Sequence, residues 1–196
     1  MPYFANALQL LIKIAFDALM VLFLLRLFAE LCRADFHNQV SQFVYRYSNP
    51  VLVPIRRVLP NWHRWNLAAI VVAWALELLK WLLLFATTGV MPHIGGWLLL
   101  GLGSLLSFAM LVYVVLIFVW ALASMFASQP GRGMHPALRF VTQLAEPPMR
   151  PLRRHMPTLA GIDFSPTVAI LILLLARILI AQPLIDTGLR MALTGA

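Results

Sequence analysis

The chain has 196 residues, of which 62% are hydrophobic and 11% are charged, whereas a soluble domain carries roughly 25% charged residues. With a mean hydropathy of +0.86, this composition excludes an ordinary water-soluble globule. Lys and Arg number 15 against 7 acidic residues, a net charge of +8, and the placement of that excess says more than its size.

Four stretches are long and apolar enough to cross a hydrocarbon core about 30 Å thick, which takes about 20 residues of helix. They are Tyr3 to Leu31, Leu67 to Ala86, Trp97 to Ala127 and Ser165 to Gln182. The first is expected to be a retained helix, because no cation precedes Lys13 and the apolar run is longer than a signal-peptide core. Between the first two spans lies an amphipathic stretch with Phe36, Val40, Phe43, Val44 and Tyr47 at helical spacing, which reads as a short interfacial helix. It leads into PVLVPIRRVLP, where Pro50, Pro54 and Pro60 argue against regular helix and for a stiff ledge displaying Arg56 and Arg57. The second span stops at Thr87-Thr88-Gly89, with Pro92 just beyond. The third is too long to stand upright, so it tilts, protrudes or breaks near Gly101 and Gly103. Ala123 with Ala127 and Ser124 with Ser128 repeat at four residues and read as a packing face. A second amphipathic stretch, Ala137, Phe140, Val141, Leu144 and Ala145, leads into PPMRPLRRHMP with Pro147, Pro151, Pro157, Arg153 and Arg154. The fourth span opens at Ser165-Pro166, a capping residue followed by proline, and a short tail follows Gln182.

The two proline boxes obey one rule, P-x-x-x-P-(I/L)-R-R-x-x-P, at an offset of 97 residues, and the same offset pairs Phe43 with Phe140 and Lys80 with Arg177. The chain therefore reads as two repeats, residues 1–93 and 94–196. Each is a helix, a basic loop and a second helix, so the fold class is all-α membrane protein with two parallel-oriented repeats. Ten of the fifteen cations fall in the two loops, none in the connection from Thr87 to Gly96 and one, Arg190, after Gln182. Cytoplasmic loops hold the Lys/Arg excess, so the loops are expected in the cytoplasm and both termini outside. Trp62, Trp65, Trp81 and Trp97 flank spans and fit an aromatic belt. Helix-flanking cations account for the basic charge, and no nucleic-acid partner is expected.

The doubled box, followed after its second copy by GIDFSP, resembles the YggT family of bacterial integral membrane proteins, whose plastid relatives are called YlmG-like. The likeness covers nearly the whole chain, although the first copy lacks the G-I-D-x-S-P tail. The resemblance implies a multi-pass protein of the bacterial inner membrane, associated with osmotic-stress tolerance and potassium homeostasis, and in that membrane the termini that the charge distribution puts outside are periplasmic.

Ionisable residues inside spans are candidates for function. Lys13 with Asp17, Arg26 with Glu30 and Glu77 with Lys80 can each pair along one helix face, while Arg177 has no local partner. Asp17, Glu77, Lys80 and Arg177 fall at similar depths, and the preferred contact is Asp17 to Arg177. The competing reading is that Lys80 and Arg177 snorkel to an interface. Arg56, Arg57, Arg153 and Arg154 are candidates to bind anionic phospholipid headgroups or an acidic partner, or else serve only to hold the loops inside. Asp163 and Ser165 are explained by capping the last span. Cys32 permits no intrachain disulfide, and His37, His63, His93, His135 and His155 are scattered, so neither a metal nor another cofactor is expected. No nucleophile and base pair or Gly-rich phosphate loop argues for an enzyme. A membrane adaptor or assembly factor is the preferred class, working with a membrane-protein partner or as a homo-oligomer. The alternative is a small transporter or channel subunit, against which the cations at Lys80 and Arg177 weigh.

Overall fold

The computed structural model describes residues 2–57, 59, 66–126, 135–155 and 163–195. Among these the chain forms α1 (Pro2–Leu31), α2 (Gln39–Arg56), α3 (Leu67–Thr88), α4 (Ile94–Phe126), α5 (Pro136–His155) and α6 (Ser165–Ala176). A π-helical segment (Arg177–Ala181) then leads into α7 (Gln182–Thr194), and no strand is present among the described residues. Tyr3–Leu31, Leu67–Thr88, Ile94–Ser124 and Ser165–Thr194 are long and apolar enough to cross a membrane. Pro60, Pro157, Trp62, Trp65, Arg64 and Arg132 lie outside the described residues.

Contacts along the helices fix their directions. Gln9 Nε2 donates to Thr87 Oγ1 at 2.7 Å, Lys80 meets Asp17, and Leu27 and Phe28 share a core with Ala68 and Ala69. The start of α1 thus meets the end of α3, and the pair is antiparallel. In the second hairpin His93 N donates to Ala192 O at 2.9 Å, Arg177 reaches Ser107, and Ile117 and Trp120 pack with Ala169. That hairpin is antiparallel too. Phe28 and Tyr113, 4.7 Å apart between ring centroids, set the far end of α1 against α4 just past its midpoint. Asn38 Nδ2 donates to Pro136 O at 2.7 Å and Asp35 N to Gln143 Oε1 at 3.0 Å, so α2 and α5 meet at one end. The hairpins are therefore like-oriented. One face carries the two elbows, and the opposite face carries the described end of each terminal helix and the connection between α3 and α4.

Helix boundaries follow local chemistry in part. Asn38 and Asn66 cap α2 and α3 by accepting from Val40 N and Ala69 N. Gly89, at φ +71°, ends α3 in the left-handed conformation that glycine takes without a Cβ clash. At the last span the acceptor is Asp163 rather than Ser165. Asp163 Oδ1 takes the Ser165 N–H at 2.9 Å, while Ser165 is buried as the first residue of α6.

Two expectations are overturned and one is narrowed. First, the proline boxes continue as helix: α2 runs through Pro50 and Pro54, and α5 through Pro147, Pro148 and Pro151. All five prolines face outward, so the carbonyls left without an N–H four residues on can find other donors. Pro148 frees the Leu144 carbonyl, and the Tyr113 hydroxyl donates to it at 3.0 Å. Second, of the alternatives for the over-long third span the break at Gly101 or Gly103 does not occur: α4 runs unbroken for 33 residues, about 50 Å at 1.5 Å per residue, which leaves tilt or protrusion. Third, the expected tail after Gln182 is helix α7, packed on α4. The wide π turn just before Pro183 accommodates its missing N–H. A Cβ at Gly188 would stand 2.5 Å from Leu100 N, and one at Gly103 would stand 2.9 Å from Ile185 N. Gly96 meets the Ala192 backbone in the same way, so three glycines let α4 and α7 touch backbone to backbone. This contact lies far from the packing face expected at Ala123 and Ser124, whose repeat partners Ala127 and Ser128 lie outside the described residues; Ser124 is exposed and donates to its own turn at Ala121 O.

Candidate functional site

Two groups of charged residues stand out, one midway along the spans and one on the elbow face. In the first, Lys80 Nζ lies 2.9 Å from Asp17 Oδ1 and 2.8 Å from Glu77 Oε2. Glu77 is 1% exposed and Lys80 is 8% exposed. Lys80 therefore does not snorkel; it is clamped between a carboxylate on its own helix and one on α1. The expected Asp17 to Arg177 pair does not form within the chain, because Lys80 occupies Asp17 and Arg177 Nε donates instead to Ser107 Oγ at 2.7 Å. Equal depth placed these groups in one layer but could not say which helix faces which. Next to the layer, Trp81 Nε1 donates to Ser104 Oγ at 2.9 Å and Trp97 Nε1 to Leu78 O at 3.0 Å. These two tryptophans tie α3 to α4.

On the elbow face the paired arginines divide their work. In the first elbow Arg56 NH2 lies 2.6 Å from Glu30 Oε1, which also lies 2.8 Å from Arg26 Nε. The Arg26 guanidinium, 2% exposed, stacks on the Tyr45 ring 3.2 Å from its centroid. Burial pushes the Tyr45 phenol up to about 12, against the pull of Arg26. In the second elbow Arg153 Nε lies 2.7 Å from Asp163 Oδ2 and its guanidinium sits over Trp120 at 4.5 Å. Partial burial raises the Asp163 carboxyl, but the Ser165 hydrogen bonds and Arg153 outweigh it and hold the group below the usual carboxylate range. The first arginine of each box is thus paired within its own repeat, Arg56 half-buried and Arg153 still exposed, while Arg57 and Arg154 are exposed and have no carboxylate partner among the described residues. The four do not converge on a single point.

The elbows are joined by Asp35, whose Oδ2 lies 3.3 Å from Arg139 NH2. Sequence reasoning missed this bridge; the only signal was the 97-residue offset, which sets the two loops side by side without naming contacts. No group of three His, Cys, Asp or Glu side chains fit to hold a metal occurs among the described residues.

The CCB3/YggT family model matches the chain twice, over residues 5–87 and 99–184. The chain belongs to the CCB3/YggT family. It is 33% identical over 187 residues to the uncharacterized protein YggT of Escherichia coli strain K12, covering 93% of this chain and 94% of that one. An uncharacterized protein in the proC 3′ region of Vibrio alginolyticus is 34% identical, with 90% and 95% coverage. A Pseudomonas aeruginosa relative, also uncharacterized, is 31% identical over 84% of this chain and 83% of its own. No solved structure matches. The first family match contains most of α1, all of α2 and most of α3, and the second begins inside α4 and ends at Leu184, just after the π segment. Most of α7 therefore lies beyond the stretch that this CCB3/YggT chain shares with the family pattern.

Proposed function

We propose that this chain is a non-enzymatic adaptor of the bacterial inner membrane, built of repeats 1–93 and 94–196 with both elbows in the cytoplasm and both termini in the periplasm. It engages anionic phospholipid headgroups, or acidic groups of a membrane-protein partner, through Arg57 and Arg154. In this way it supports the osmotic-stress tolerance and potassium homeostasis that the family resemblance implies. The observation that carries the reading is the division of each Arg pair. Arg56 and Arg153 are held by Glu30 and Asp163, which braces the backbone that presents the exposed Arg57 and Arg154. Guanidinium forks suit phosphate and carboxylate, and helix-flanking cations beside a bilayer meet an anionic leaflet.

Binding of the purified protein to vesicles containing phosphatidylglycerol, compared with vesicles of phosphatidylcholine alone, tests the headgroup contact. The Arg57→Gln/Arg154→Gln pair is expected to weaken the preference for the anionic vesicles, and an unchanged preference defeats the reading. Labelling of cysteines placed at Arg57 and Gly195 from each side of intact cells checks the orientation independently. A transporter is the second reading, favoured by one observation: Lys80 and Glu77 are buried in the middle of an apolar span. Solute flux into proteoliposomes that disappears in Lys80→Met would decide for it.

A further inference from the structure

The charged layer balances over the whole chain but not where its members stand. Asp17, Glu77, Lys80 and Arg177 sum to zero, yet both carboxylates lean on Lys80. Arg177 reaches only the Ser107 hydroxyl, and among the described residues no carboxylate lies within ion-pair distance of it. A guanidinium carries its charge at any physiological pH and offers five N–H donors, so one acceptor leaves most of it unmatched in hydrocarbon, where that is costly. The surplus of negative charge sits elsewhere. Asp17 uses Oδ1 for Lys80 and keeps its side chain 38% exposed on the outside of α1.

The two groups lie at one depth. Trp81 bonds Ser104 and Lys80 lies 5.8 Å from the Phe108 ring, which sets the Asp17 pair beside the turn of α4 that also carries Ser107, the partner of Arg177. Open apolar surface surrounds both. Leu10 and Ile14, each 58% exposed, lie within two turns of Asp17, and Ile178, 62% exposed, adjoins Arg177.

We propose that a second copy of this chain completes the layer, with Arg177 of one copy docking against Asp17 of the next. Copies inserted with the same orientation hold these groups at the same height, so the contact needs no vertical displacement. The two surfaces are unlike, each copy offers one of each, and a closed set of copies leaves neither unmatched.

The test uses the full chain in lipid nanodiscs and in mild detergent, with mass read by light scattering. The wild-type chain is expected to assemble, and Arg177→Gln, which leaves the Asp17, Lys80 and Glu77 contacts untouched, is expected to weaken assembly roughly tenfold or more. Differently tagged copies bearing Ile14→Cys and Ile178→Cys on a Cys32→Ser background should form a disulfide with each other in membranes. A chain with Arg177→Asp should assemble only when co-expressed with one bearing Asp17→Arg. A wild-type chain that stays monomeric in both media, an Arg177→Gln chain that assembles like wild type, or tagged copies that do not cross-link would each overturn the proposal. Because Asp17→Arg also removes a partner of Lys80, failure of that chain to fold leaves the Arg177→Gln and cross-linking results to decide.

Discussion

From the terminal face to mid-span, α1 and α3 are joined by polar groups: Gln9 to Thr87, then Asp17 to Lys80, with Glu77 behind. Over the corresponding stretch α4 and α7 are joined by glycines, with Gly96, Gly103 and Gly188 set against backbone. The repeats thus share a plan and close their hairpins by different chemistry. A side-chain ion pair tolerates a wider gap between helices and ties their register to two or three atoms. A glycine contact demands close approach and spreads its attraction over many weak contacts. The first hairpin should therefore fail sharply when one charge goes, and the second when one methyl group is added.

The largest effect is expected from Lys80→Met. It leaves Glu77 and Asp17 without a cation and should cost about 3–5 kcal/mol, the scale for breaking a buried pair. Thermal unfolding in detergent reads this loss, and adding Asp17→Asn and Glu77→Gln should recover much of it. If Lys80→Met melts like wild type, the ion pairs do not hold the first hairpin. Gly188→Val comes next, at about 1–3 kcal/mol for overpacking, or more if α7 detaches. Cross-linking between His93 and Ala192, each replaced by cysteine, would fall as the helices part. Trp81→Phe should cost about 0.5–1.5 kcal/mol through the lost hydrogen bond to Ser104.

Smaller still is the Asp163 to Arg153 pair. Its carboxyl is held below the ordinary value, so its contribution is present above the unfolded pKa, about 3.9, and is lost as pH falls through the lower folded value. Asp163→Asn should remove that acid dependence and at most about 1 kcal/mol, as for a solvent-exposed pair. Gly95→Ala should change nothing measurable, because a Cβ there meets open space. A large loss from Gly95→Ala would show that glycines matter here through backbone freedom rather than contact.

The same contrast explains what was legible in the amino-acid sequence. The four spans, the like orientation of the hairpins and the pairing of Glu77 with Lys80 follow from hydropathy, the 97-residue offset and helical spacing. The partner of Asp17 does not, because depth is encoded along one helix whereas facing depends on how two helices rotate against each other. The prolines were misleading for a related reason. The cost of Pro148 depends on whether a donor reaches the freed Leu144 carbonyl, and that donor, Tyr113, is 31 residues away in sequence. A short tail is expected after Gln182, yet the backbone contact at Gly188 favours continuing the helix. At the elbows, Arg56, Arg57, Arg153 and Arg154 were legible as a set, but which member of each pair meets a carboxylate required Glu30 and Asp163 to be placed.

The latch between the elbows also dictates an order of assembly. The Asn38 amide finds its acceptor, the Pro136 carbonyl, 98 residues further along the chain, which at 5–20 residues per second emerges from the ribosome about 5 to 20 s later. Throughout that interval the newly inserted front half stands with the Asp35 N–H and the Asn38 amide unanswered, and it is sealed only when the back half arrives beside it.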